Sequence, residues 1–171
     1  QLYTGEEVLP FIGESEYYRY LVPALIKISP EVKTVFGSNL ESTIVDQMIN
    51  GDQTLDTIGS VIGQITPTAK GAAIKSIGLA AIKLDSTTKT LVHELVHLTV
   101  QKEYDKKGEF YNSINTLYEV ADKHAFDNSL EDYGFSSPTE FLAEALSNPE
   151  FMQKLNEIPY KEETETPNEN T

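Results

Sequence analysis

Cysteine is absent from the 171 residues. That excludes disulfide frameworks, thiolate metal sites and cysteine nucleophiles, so any metal must be held by His, Asp or Glu. Arginine occurs once, at Arg19, which removes the side chain best suited to bidentate phosphate recognition. Basic residues are few overall: 13 Lys plus Arg face 27 Asp plus Glu, for a net charge of −14. Such a chain lacks the basic face that nucleic acid requires, and an anionic membrane surface is disfavoured for the same reason. Long apolar runs are also missing. The stretch Ala72 to Leu84 is broken by Lys75 and Lys83 and is too short to span a bilayer. No basic-then-apolar leader pattern opens the chain. A start at Gln1 is expected of a processed mature protein or of a piece of a larger one. Localisation stays open between secretion and a virion or host cytoplasm.

What is present reads as globular, at 39% hydrophobic residues, with length for one domain or at most two small ones. Thr4-Gly5-Glu6-Glu7 has the form of a short helix start, and Glu16 to Ile28 is helical in pattern but interrupted by Pro23. Apolar spacing predicts a helix over Leu40 to Ile49, stopped by Asn50-Gly51. Thr57 to Ile65 is ambiguous between helix and strand. Leu79 to Asp85 reads as a strand, followed by a helix from Ser86-Thr87-Thr88 to about Tyr104 and another over Tyr111 to Phe126. In the second of these, Ile114, Leu117, Tyr118, Ala121 and Ala125 are expected to face inward. Ser137-Pro138 opens a further helix that Asn148-Pro149 closes, and a last turn or two covers Glu150 to Leu155. Residues 161–171, KEETETPNENT, contain no apolar residue and read as an acidic disordered tail or linker.

One constellation carries chemistry. His93-Glu94-Leu95-Val96-His97 is an HExxH pattern. Two histidines four apart on a helix share a face, so both imidazoles reach a single metal ion. Glu94 lies beside that ion, where a carboxylate can take a proton from water. Leu91, Val92, Leu95 and Leu98 form the opposite, apolar arc that anchors the helix. Shuffling this composition produces the pattern only about 0.004 times per chain, so chance is a weak explanation.

A catalytic zinc needs a third protein ligand and an open position. The remaining histidine, His124, sits at helical spacing from Tyr118, Ala121 and Ala125, and is read as a satisfied core or edge residue. Glu140 and Glu144 are better placed, being i,i+4 on one face of a helix whose other side is Phe141, Leu142, Ala145 and Leu146. Two like charges one turn apart repel, and a cation would turn that cost into attraction. Ser137-x-x-Glu140 is also a capping box, in which Glu140 would only satisfy the helix N-terminus. Both readings of Glu140 stand on the sequence. Glu131 and Asp132 read as solvated loop charges.

Taken together, His93-Glu94-x-x-His97, Tyr133 and Glu140-Phe141-Leu142-Ala143-Glu144-Ala145 resemble the catalytic domain of anthrax lethal factor and its relatives. These include the Pro-Pro endopeptidases, and all are glutamate-zincin peptidases. The resemblance covers about residues 79–155; residues 1–78 show no such likeness. The string from Tyr133 through Phe151 is also similar to metallopeptidase segments of large phage proteins. The resemblance implies Zn²⁺ ligands at His93, His97 and Glu140 and a general base at Glu94. It further implies an oxyanion-stabilising Tyr133, seven residues before the ligand carboxylate, and a Glu144 that orients a ligand histidine.

The expected protein is therefore an α+β, zincin-like metallopeptidase domain over residues 1–160, mostly helical with a small sheet. Its expected activity is zinc-dependent hydrolysis of a protein or peptide substrate, with strand Leu79 to Leu84 receiving the peptide as an added strand. The acidic surface is expected to favour neutral or basic substrates. The alternative is a non-catalytic zinc-fold binding or virion-structural module of a phage or mobile-element protein.

Overall fold

The computed structural model describes residues 1–160; the expected acidic tail lies outside the described residues. The class is α+β, mostly helical around one four-stranded mixed sheet. Strand β1 (Leu2–Thr4) leads through a 3-10 segment (Gly5–Phe11) to helix α1 (Glu16–Ile28). Strand β2 (Lys33–Gly37), helices α2 (Leu40–Asn50) and α3 (Leu55–Gly63), and strands β3 (Gly71–Ile74) and β4 (Leu79–Lys83) follow. Five helices complete the described residues: α4 (Thr88–Leu98), α5 (Val100–Asp105), α6 (Glu109–Asp127), α7 (Pro138–Ser147) and α8 (Pro149–Asn156).

Spatial strand order is β1-β2-β4-β3. β2 and β4 run parallel, with Lys33 opposite Leu79, and the two outer pairings are antiparallel. β4 is buried on both faces, which explains its nearly unbroken apolar sequence. Its side chains alternate between two cores. Ala80 and Ile82 pack with Val22, Leu25, Leu91 and Leu95 from α1 and α4. Leu79 and Ala81 pack with Ile44, Met48 and Ile58 from α2 and α3.

This topology corrects the expected substrate strand. β4 is paired on one side by β2 and on the other by β3, so it has no free edge to offer a peptide. The edge strand beside the HExxH helix is β3. Gly71 lets it lie close: a Cβ there would approach Thr90 Cγ2 to 2.8 Å and Glu94 Cγ to 3.1 Å.

Four local expectations also change. The ambiguous segment is helix α3, whose first turn is capped by Thr54, accepting from Thr57 N at 3.2 Å. The expected continuous helix to Tyr104 is instead two, because Thr99 leaves helical geometry (φ −121°, ψ −85°). Its hydroxyl donates to the Leu95 carbonyl at 2.7 Å, a side-chain bond that competes with the helical ladder. In α6, Ala121 and Ala125 are buried as expected, but Leu117 is 46% exposed. Pro23 does not interrupt α1.

The helix that brings the carboxylates in is fixed at both ends. Ser137 Oγ accepts from Glu140 N at 3.2 Å, and Pro138 occupies the first turn. Asn148 closes α7 and caps α8, its carboxamide oxygen accepting from Glu150 N at 3.1 Å. The Tyr18 hydroxyl on α1 donates to the Ser147 carbonyl at 2.6 Å, holding the end of α7 against the core.

Candidate metal centre

Helix α4 presents His93 and His97 on one face, while Leu91, Val92, Leu95 and Leu98 behind them are buried. α7 packs alongside and carries Glu140 and Glu144 inward. His93 Nε2, His97 Nε2 and the Glu140 carboxylate converge: 2.9 Å from His93 to Glu140, 3.1 Å from His97 to Glu140, and 3.1 Å between the two ring nitrogens. Ligand atoms of all three residues lie within 4.8 Å of one another. The Ser137 hydroxyl caps α7, yet the Glu140 side chain turns away from the helix end to the histidines. Of the two capping-box bonds only the serine half is made, and the glutamate is released for the cluster.

Each ring is held from behind. His93 Nδ1 lies 2.8 Å from Glu144 Oε1, and the other Glu144 oxygen accepts from Asn148 Nδ2 at 2.9 Å. His97 Nδ1 lies 2.6 Å from Gln101 Oε1. His93, Gln101, Glu144 and Asn148 are all buried, so these contacts are shielded from competing water. Gln101 and Asn148 were not singled out as site residues from the sequence. The available signal was spacing: Gln101 is four residues after His97, and Asn148 four after Glu144.

Electrostatics follow from the packing. Burial opposes a charged His93 ring, but the hydrogen bonds it donates to the Glu140 and Glu144 carboxylates outweigh that and hold the metal-free ring at about 9. The same bonds pull the Glu140 and Glu144 carboxyls down against their own desolvation. Glu94 lacks such a partner, and burial pushes its carboxyl up. Tyr133 stands at the mouth, 60% exposed, with its ring centroid 5.9 Å from that of His93. Partial desolvation of its hydroxyl and the Glu140 charge push it up to about 12, so it remains a proton donor at neutral pH.

Tyr133 is on a short 3-10 turn, Tyr133–Phe135, that is pinned rather than loose. Asp132 accepts from Gly134 N at 3.0 Å and from Lys154 Nζ of α8 at 2.8 Å. Its side chain is only 15% exposed, which corrects the reading of Asp132 as a solvated loop charge. His124 is outside the cluster, with its carbonyl and ring beside Asn128.

The converging groups face a cleft of about 330 Å³, walled by Gly71 to Ala73 of β3 on one side and by Tyr133 and Thr139 on the other. Charged residues lining it and its neighbouring hollow, apart from the cluster acids, are Lys70, Lys75 and Lys89. The cleft is thus locally more basic than the −14 chain average. Comparison of the chain with protein-family models, curated proteins and solved structures found no match.

Proposed function

We propose that the protein is a zinc-dependent endopeptidase with a zincin-like catalytic domain of the glutamate type. The observation that supports this most is the convergence of His93 Nε2, His97 Nε2 and the Glu140 carboxylate. The donor set fits zinc: two imidazoles and one carboxylate, each imidazole with a hydrogen-bond acceptor on its far nitrogen to keep the near one free for a metal. His93, His97 and Glu140 would hold the ion, which supplies Lewis acidity to water and to a scissile carbonyl.

The remaining residues have distinct tasks. Glu94, with its raised affinity for protons, takes the proton of the attacking water and returns it to the leaving amine. Tyr133 keeps its proton and donates a hydrogen bond to the oxyanion of the tetrahedral intermediate. Glu144, braced by Asn148, orients His93. An extended peptide adds to the free edge of β3, where Gly71, Ala72 and Ala73 leave room for its backbone.

Metal analysis and a peptide-library digest test the reading together. We expect about one zinc per chain, lost in His97→Ala and in Glu140→Ala, and cleavage that stops when zinc is chelated. Unchanged zinc affinity in Glu140→Ala would remove that residue from the ligand set. Stoichiometric zinc with no cleavage of any peptide would favour a binding module instead.

A further inference from the structure

We infer that Gln101 is a positioning residue that fixes His97 in the one neutral tautomer able to bind a metal through Nε2. The inference rests on reading His93, His97 and Glu140 as zinc ligands. Gln101 follows the helix break at Thr99, yet its carboxamide oxygen lies 2.6 Å from His97 Nδ1 and the residue is 4% exposed. A carboxamide oxygen only accepts, so this contact requires the proton on Nδ1. The lone pair then stays on Nε2, which faces His93 Nε2 and Glu140 Oε1, both at 3.1 Å.

Without Gln101 the balance would tip the other way. Glu140 is a charged acceptor, stronger than a neutral amide, and it draws the single ring proton toward Nε2. A proton there occupies the position a metal needs. Gln101 opposes that pull from the far side of the ring. Its neutrality also matters, since Glu94, Glu140 and Glu144 already place three carboxylates around the two rings, and a fourth would add repulsion in a low-dielectric site. An amide turned the other way would donate to Nδ1 and leave Nε2 protonated, so the two orientations predict opposite tautomers.

The test compares wild type with Gln101→Met, which removes the acceptor at similar volume, and Gln101→Glu, which restores one. Long-range ¹H–¹⁵N spectra of the metal-free proteins, at a pH where the ring is neutral, read the His97 tautomer directly. Competition with a chromophoric chelator reads zinc affinity. We expect the Nδ1–H form in wild type and in Gln101→Glu. In Gln101→Met that form is lost and zinc affinity falls about 10- to 100-fold, with the fold retained by circular dichroism. An Nε2–H tautomer in wild type would overturn the inference. So would a folded Gln101→Met with unchanged tautomer and affinity. If Gln101→Met does not fold, loss of the Nδ1–H form in Gln101→Glu serves as the contradicting result. A wild type that takes up no zinc, while its tautomer still follows residue 101, would overturn the peptidase reading and leave the Gln101–His97 pairing standing.

Discussion

Glu144 Oε1 lies 2.8 Å from His93 Nδ1 across 51 residues of sequence, and the same carboxylate accepts from Asn148 at the next helix junction. The junction between α7 and α8 is thereby tied to the orientation of a ring on α4. Replacing Glu144 by Ala should lower zinc affinity about 10- to 100-fold while leaving all three proposed ligands in place. Chelator competition measures it, and an unchanged affinity would remove Glu144 from the site's machinery.

The metal-free protein should lose stability in alkali. His93 is raised from 6.5 to about 9 in the folded chain, so its contribution is complete below pH 6.5 and lost as pH rises through 9. The full loss should be about 3 kcal/mol, read as a falling Tm across that interval. Glu140 and Glu144 are lowered, so their contribution is present above about 4.5 and lost on further acidification. A Tm that does not fall between pH 6.5 and 9 would contradict the charged His93 cluster.

Zinc uptake at pH 7 should release protons. A ligand imidazole must be neutral, whereas the metal-free His93 ring is held protonated between Glu140 and Glu144. Calorimetry in buffers of different ionisation enthalpy should return about one proton from this ring per zinc bound. Affinity should rise toward pH 9, opposite in sign to the stability of the metal-free chain. Release of no protons would mean that His93 is already neutral.

Gly134 should tolerate no side chain. A Cβ there would lie 2.7 Å from Cε1 and Cε2 of Phe151 and closer still to its Cζ, and that ring is itself fully buried. Gly134→Ala should therefore cost about 1–3 kcal/mol of overpacking and displace the turn bearing Tyr133. Tyr133→Phe should leave Tm unchanged and lower kcat about 10²- to 10³-fold, as loss of an oxyanion donor does. Equal turnover in Tyr133→Phe would dismiss the hydroxyl from the reaction.

The parts legible in the sequence are those set by local signals. α7 begins at Ser137-Pro138 and ends at Asn148-Pro149 because caps act within one turn, and the two histidines share a face because their spacing matches the helical period. Strands β1, β2 and β3 were not foreseen. They are three to five residues long, too short to display a period, and β1 and β2 also take partners far away in the chain. The location of β4 was legible, but its neighbours were not, so an interior strand was assigned an edge strand's task. Asp132 reads as a loop charge in the sequence because the lysine that pins it is 22 residues downstream. That the Glu140 side chain turns to the histidines depends on the packing of α7 on α4, a tertiary fact with no trace in the capping-box sequence.

The most direct measurement is a paired determination of zinc content and peptide cleavage for Glu94→Ala. Glu94 lines the cleft beside both histidines, and desolvation outweighs their charge in pushing its carboxyl up. The account predicts about one zinc per chain, an unchanged Tm, and cleavage abolished because no group accepts the proton of the attacking water. Cleavage at the wild-type rate by the zinc-loaded Glu94→Ala protein would contradict it.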